Sequence, residues 1–218
     1  LKVLQKMSDE LDDLDDAKPG DIYNTVTKDV VKGKVGVLVI NCAYVLQFIE
    51  WEPRGTGTGA PYRIYGSSDD IPQTERGDDN KDYVVGGSGR YLERTAQHYV
   101  LIIYEDGMTQ QALLPMKSTQ FKKSKQWNSA MRSLKMKDSK GHLFTPPRFS
   151  HVWKLETVPE ENKNGSWHAW MISKDSVVSD PSVYAEAKQF AESILAGQVN
   201  VKHVREDEKA SSDEDVPF

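Results

Sequence analysis

Cysteine is nearly absent from this chain, because Cys42 is the only one in 218 residues. A single cysteine excludes an intramolecular disulfide and a cysteine-based zinc cluster, and it is typical of a chain kept in a reducing cytosol. Long hydrophobic runs are missing as well. No apolar run approaches the ~18 residues of a membrane-spanning helix, and residues 1–7 lack the features of a signal peptide. We therefore expect a cytoplasmic protein with no membrane partner.

Motifs for catalysis and metal binding are also missing. The five histidines lack the spacing of a ligand pair, and no H-E-x-x-H motif is present. The GGSG sequence at 86–89 resembles part of a phosphate-binding loop, but no Lys-Ser or Lys-Thr pair follows it. The paired acids within residues 12–16 lie in a polar segment that would not hold a metal rigidly. The sequence predicts a non-enzymatic protein with no catalytic residue, metal or cofactor.

The charges of the chain are segregated along its length. The formal net charge is −5, which by itself argues against a nucleic-acid partner. Acids, however, cluster in residues 9–16 and again from Glu206 onward, whereas residues 117–154 contain ten basic residues and one acid, Asp138. This asymmetry indicates that the central part of the chain binds a polyanion such as nucleic acid.

Aromatic residues are interleaved with the basic ones in residues 117–154. Cations that follow a phosphate backbone and rings on which bases stack are the two ingredients of single-strand binding without sequence preference. Any one ring could instead belong to the core, so the interpretation depends on the whole set. The candidate phosphate contacts are Lys117, Lys122, Lys123, Lys125, Arg132, Lys135 and Arg148. The candidate stacking residues in this part of the chain are Trp127 and Trp153.

Strand and helix patterns follow one another in a definite order. The predicted elements are one long strand or two strands at 36–51, a hairpin at 97–116, a helix at 118–136, strands at 148–158 and 166–173, and a helix at 181–196. A five-stranded Greek-key barrel with a helix between its third and fourth strands is the OB-fold, and this order matches it. We therefore predict a mainly β (α+β) fold of the OB type with a C-terminal helix.

The predicted helix at 118–136 has two different faces. Its apolar face carries Trp127, Met131 and Leu134, and its basic face carries Lys122, Lys125 and Arg132. Such a helix can pack on a core and present cations to a ligand at the same time.

Between residues 53 and 94 the composition shifts to glycine and proline, and long apolar runs disappear. A connection of this length is either disordered or functional. Because arginine and tyrosine recur together in it, we predict a flexible insertion that folds over bound single strand, with Tyr62 stacking on a base and Arg63 contacting phosphate. The alternative is a spacer, since several aspartates dilute the positive charge.

The sequence from Glu206 to Phe218 is too charged and too poor in apolar residues to pack on a core, so it predicts a disordered tail. An aromatic end on such a tail calls for a partner pocket, and capture of a C-terminal carboxylate is a known mode of recognition. The last six residues resemble the acidic, Pro-Phe-ended tail of bacterial single-stranded DNA-binding proteins, with Val216 where those proteins usually carry Ile. These six are Asp213, Glu214, Asp215, Val216, Pro217 and Phe218.

Phage proteins of the same class, such as the T7 type, also end in an acidic tail with a terminal Phe. The central sequence, KSTQFKKSKQWNS with the FTPP and FSHVWKL stretches, likewise resembles phage proteins of the single-stranded DNA-binding or replication class. The resemblance implies a tail that recruits replication and recombination enzymes and competes with DNA for a basic groove. The domain limits that follow are an acidic segment at 1–19, a binding domain at 20–200 and a tail at 201–218.

The sequence therefore predicts a phage-type protein that coats single-stranded DNA during replication, recombination or repair and acts in the host cytoplasm. Two alternatives stay open. One is an adaptor that binds a polymerase, and the other is an RNA-binding or strand-annealing protein. Sequence leaves the oligomeric state undecided.

Overall fold

Antiparallel β-structure dominates the protein. The structure is a computed structural model that describes residues 1–53, 55–56, 58–163 and 165–198. Its strands are β1 (Lys2–Val3), β2 (Ile22–Tyr23), β3 (Val30–Val31), β4 (Val37–Trp51), β5 (Arg63–Gly66), β6 (Thr74–Arg76), β7 (Asp82–Val84), β8 (Tyr91–Ile103), β9 (Thr109–Lys117), β10 (Met136–Lys137), β11 (Leu143–Phe144), β12 (His151–Asn162) and β13 (Gly165–Val177). Its helices are α1 (Glu10–Asp13), α2 (Phe121–Ser133) and α3 (Pro181–Leu195).

The described chain folds into two units. The first contains residues 1–45 and 96–198, and the second contains residues 46–95. The predicted acidic tail at 201–218, including all six residues of its tip, lies outside the described residues.

The first unit is built on five long strands. They are hydrogen-bonded in the order β9-β8-β4-β12-β13, and α2 follows β9 in the chain. The mainly β, α+β class is confirmed, and so is the position of a helix between the third and fourth long strands. Within the described residues the strands form open antiparallel sheets and no closed barrel.

One face of this sheet is covered by α2. Trp127 and Met131 of α2 pack with Val39, Leu155 and Trp170 in one apolar cluster. Two residues of β12, Trp153 and Leu155, belong to the same cluster, as the two-residue period of a strand allows. Burial of large apolar side chains is the main favourable term in folding, and this cluster holds α2 in place.

The terminal helix begins where the sequence predicts. Asp180 caps α3, because its Oδ1 accepts a hydrogen bond of 2.8 Å from the backbone N–H of Ser182, and Pro181 occupies the first turn. The helix that the sequence predicts at 118–136 is shorter in the structure. Residues 118–120 form a 3-10 turn, and α2 ends at Ser133 because Leu134 adopts an extended conformation.

The second unit shows that residues 53–94 contain regular structure. Strand β5 pairs with the end of β4, and β7 pairs with both β6 and the start of β8. Ile49, Trp51 and Tyr91 form a small core in this unit. The sequence predicted a flexible insertion here, whereas the described part of the segment forms three short strands and the start of β8.

Residues 1–19 are not an independent segment in the structure. Leu1 and Val3 belong to the core of the first unit, and β1 pairs with β2 through Val3 and Ile22. Helix α1 buries none of its residues, as expected for a solvated acidic turn.

Cys42 is a buried residue of β4, as its apolar neighbours in the sequence indicate. Burial raises the pKa of its thiol to about 12. The thiolate is the reactive form of cysteine, so Cys42 is a packing residue in the folded protein and not a nucleophile.

Candidate nucleic-acid interface

The outward side of α2 carries the cations that the helical pattern places there. Trp127 and Met131 point into the core, and Lys122, Lys125 and Arg132 are exposed. We call these three residues the cationic face of α2. Lys125 also lies over the ring of Phe121, with its Nζ 5.2 Å from the ring centroid. The two faces result from the 3.6-residue period of the helix, and this prediction is confirmed.

Most cations of the basic stretch form no ion pair with a carboxylate among the residues that the structure describes. Lys123 pairs with Glu160 at 2.5 Å, and Lys154 pairs with Glu156 at 3.1 Å. Lys117 at the end of β9 is half-buried. Seven of the ten cations form no ion pair with a carboxylate in the described part of the chain. These seven are Lys122, Lys125, Arg132, Lys135, Lys137, Lys140 and Arg148.

Arg148 is the most enclosed of these cations. Its Nη1 donates a hydrogen bond of 2.7 Å to Oδ1 of Asn128, and its guanidinium lies 5.5 Å from the centroid of the Tyr44 ring. Burial lowers the pKa of Arg148, and the nearby Arg132 acts in the same direction. A half-buried guanidinium without a carboxylate retains part of its desolvation cost, which a bound anion would offset.

Lys135, Lys137 and Lys140 belong to the chain that follows α2. There β10 and β11 pair with each other, so that Lys137 lies opposite Leu143. All three lysines are exposed. Together with the cations of α2, these lysines form a series of positive charges that make no ion pair with a described carboxylate.

Two predicted stacking residues, Trp127 and Trp153, are core residues. Their side chains are 2% and 3% exposed, and their rings pack edge to face with centroids 6.0 Å apart. On its other side Trp127 stacks on His98 at 4.8 Å. Neither ring has a face to offer a nucleobase, so both are removed from the set of stacking residues. Sequence could not separate the two roles, because cores and stacking platforms use the same residue types.

Tyr62 of the second unit is an exposed ring, at 54% of its full accessibility. Arg90 lies over it with its guanidinium carbon 3.9 Å from the ring centroid, and Nε of Arg90 donates to Oε1 of Glu50 at 2.7 Å. The hydroxyl of Tyr65 donates to the other oxygen of Glu50, also at 2.7 Å. Arg63 lies over the ring of Tyr65 at 4.8 Å.

The Glu50 arrangement was missed by sequence reasoning. Glu50 is buried and receives both hydrogen bonds, so Arg90 is held in one position over Tyr62. The signal in the sequence was the recurrence of arginine with tyrosine, but it did not indicate which acid would organise them.

A buried polar network lies beneath α2. Nε2 of His98 is 2.7 Å from Oγ of Ser124, and Nδ1 of His98 is 2.8 Å from Nδ2 of Asn41. The order of a hydroxyl, an imidazole and an amide resembles a catalytic triad, but all three side chains are enclosed and no substrate could reach them. Burial lowers the pKa of His98 to about 3, with Arg148 acting in the same direction, so His98 is neutral.

Acid is therefore expected to destabilise the protein through His98. Its pKa is lower in the folded chain than in the unfolded chain, so protonation favours unfolding as the pH falls from 6.5 towards 3. We expect a loss of about 2 kcal/mol in the free energy of unfolding between about pH 7 and pH 5, measured by urea titration. His98→Gln should flatten this dependence, and His142→Gln, which alters an exposed histidine, should not. An equal loss in the wild type and His98→Gln would contradict the assignment.

Two further structural features concern metal binding and membrane insertion. Across residues 1–198, apart from positions 54, 57 and 164, no cluster of three or more His, Cys, Asp or Glu side chains has an arrangement that could hold a metal ion. Over the same residues no helix has the length and apolar character required to cross a membrane.

A family model described as Pam3 phage gp34-like protein matches residues 1–200. No curated protein and no solved structure matches the chain. The matched range includes the cationic face of α2, the β10–β11 hairpin and both units of the fold, and it ends before the acidic segment at 206–218.

Proposed function

Because the chain belongs to the Pam3 phage gp34-like protein family, we propose that this phage protein binds single-stranded DNA without sequence preference during replication or recombination. The observation that carries the proposal is the set of seven cations without a carboxylate partner in the described part of the chain. Cations without carboxylate partners along one stretch of the chain favour a polyanion, and binding of phosphates releases condensed counterions. The protein acts by binding and protecting the strand, with no chemical step of its own.

The strand order supports an OB-like origin of the fold. A sheet in the order β9-β8-β4-β12-β13 would become a barrel if its edge strands β9 and β13 met. The side chain of Gln120, just after β9, spans part of that gap: its Nε2 donates to the carbonyl of His168 at 2.9 Å, and its Oε1 accepts from the N–H of Trp170 at 3.1 Å. We propose that the first unit is an OB-type sheet left open along this seam, consistent with the partly open barrels of that fold.

Fluorescence anisotropy of a labelled oligonucleotide of about 30 residues tests the proposal, with the same sequence offered as single strand and as duplex. Binding to the single strand should be tighter than to the duplex and should weaken with salt. For about five phosphate contacts, log K against log salt should have a slope near −3.5. Weak binding that is indifferent to strandedness would favour the adaptor hypothesis, and preference for RNA would favour an RNA-binding protein.

The acidic segment at 206–218 adds a prediction about competition. Its acids are tethered to a cationic surface at high effective concentration, so we propose that they occupy this surface when DNA is absent. Removing residues 206–218 should tighten binding of single-stranded DNA, and more so at low salt than at high salt. Equal affinities of the truncated and full chains at low salt would contradict this competition.

We further propose that the tip of that segment, from Asp213 to Phe218, recruits replication and recombination enzymes. An acidic segment that carries an aromatic residue fits a capture mode in which basic side chains of a partner receive the acids and an apolar pocket receives the ring. Substitution of Phe218 by Ala should then abolish partner binding while leaving DNA affinity unchanged.

A further inference from the structure

The hairpin formed by β10 and β11, residues 136–144, exposes two large apolar side chains directly after the cationic face of α2. Leu143 is 66% exposed and Phe144 is 42% exposed. Leu143 and Phe144 are consecutive in β11, so the hairpin exposes one apolar side chain on each of its faces. The sequence placed Met136 inside a helix, so this hairpin was not anticipated.

The hairpin has a fixed shape. Oδ1 of Asp138 accepts hydrogen bonds from the backbone N–H groups of Lys140 at 2.8 Å and His142 at 2.9 Å, and Gly141 adopts the left-handed φ of +84° that the turn requires. At the base of the hairpin, Nζ of Lys135 donates to Oγ1 of Thr145 at 2.7 Å. An isolated two-stranded ribbon is marginally stable, and these contacts stabilise the conformation of the hairpin.

The charge of the hairpin selects the class of its partner. Lys137 and Lys140 are exposed and form no ion pair within the described residues, while the acid Asp138 is engaged in its own turn. Lys137 lies opposite Leu143 and shares one face of the ribbon with it, while Phe144 lies opposite Met136 on the other face. A partner must therefore supply flat apolar surface and negative charge together, which a single strand does with its unstacked bases and its phosphates.

We propose that the β10–β11 hairpin is the base-stacking element of the protein, with Phe144 stacking on a nucleobase and Lys137 and Lys140 contacting the adjoining phosphates. This inference rests on the proposed function and deepens it. It assigns to an exposed ring the role that the buried Trp127 and Trp153 cannot perform.

The test separates stacking from phosphate contact. Phe144→Ala is titrated against an oligothymidylate of about 30 residues and against an abasic strand of equal length, which has the phosphates but no bases. Affinity for the oligothymidylate should fall roughly 5- to 150-fold, the range for one stacked base, and affinity for the abasic strand should not change. Phe144→Trp should restore binding, because indole also stacks.

Two controls make the result specific. Leu195→Ala removes an exposed apolar side chain of α3 and should leave both affinities unchanged. Phe144→Ala removes no charge, so its salt slope should equal that of the wild type, whereas Lys137→Gln with Lys140→Gln should lower the slope by about 1.4.

The possible results distinguish a failure of the hairpin inference from a failure of the proposed function. If the wild type binds single strands and Phe144→Ala binds them equally well, the hairpin inference fails and the proposed function stands. If the wild type binds no single strand, both fail. If Phe144→Ala instead converts an oligomer to a monomer by sedimentation, with DNA affinity unchanged, the hairpin is a contact between protein chains and the inference is overturned.

Discussion

Replacing Lys122, Lys125 and Arg132 together by glutamine is expected to lower the affinity for single-stranded DNA roughly 500-fold at about 50 mM salt and roughly 30-fold at about 200 mM salt. The three side chains form the cationic face of α2, and none of them pairs with a carboxylate in the described residues. Each contact with phosphate contributes about 0.7 to the salt slope on single strands, so the slope should fall by about 2.1.

A variant with the same change of charge provides the control. Lys34, Lys174 and Lys188 are exposed cations of the first unit that lie outside the basic stretch. Their joint replacement by glutamine should lower affinity only slightly, because net charge acts at long range and is screened beyond about 10 Å at 0.1 M salt. If both triple variants lose affinity equally, binding depends on the overall charge and α2 is not the interface.

The cationic face of α2 could be predicted from sequence because it depends on local periodicity. A run without Gly or Pro has one helical period, and that period alone separates Trp127 and Met131 from Lys122 and Arg132. The N-terminal start of α3 followed from Asp180 and Pro181 for the same reason. Features that depend on one or two turns of a helix can therefore be predicted from the sequence.

Other features depend on contacts between distant parts of the chain. Strands β5 to β7 are short and lack apolar runs, and they form because the ends of β4 and β8 offer them hydrogen-bonding edges. The open seam of the sheet depends on whether β9 and β13 meet, which no local pattern encodes. Because α2 ends at Ser133, Met136 is free to pair with Phe144, and only that pairing revealed the hairpin.

The aromatic residues of the basic stretch show most clearly what the sequence alone could not predict. Trp127, Phe144 and Trp153 lie in one basic stretch and have the same sequence signature, yet only Phe144 is exposed. Burial depends on which side chains meet across the sheet. The sequence could therefore identify the set of aromatic rings but could not tell the buried rings from the exposed one. Buried and exposed rings are therefore expected to respond differently to substitution by alanine.

Trp127→Ala should lower the free energy of unfolding by about 3–5 kcal/mol, because it removes a fully buried ring and leaves a cavity beside His98 and Trp153. Urea denaturation followed by circular dichroism measures this change. Phe144→Ala is the matched control, and it should change stability by no more than about 0.5 kcal/mol, since the ring is exposed.

The two substitutions should therefore have opposite profiles, with Trp127→Ala affecting stability and Phe144→Ala affecting DNA affinity. Since Trp127→Ala can leave too little folded protein for titration, Trp127→Phe serves as the second variant, because it keeps most of the buried volume. Its affinity for single-stranded DNA should equal that of the wild type. A loss of affinity in Trp127→Phe without a loss of stability would mean that Trp127 contacts the strand after all, and that α2 moves away from the sheet when DNA binds.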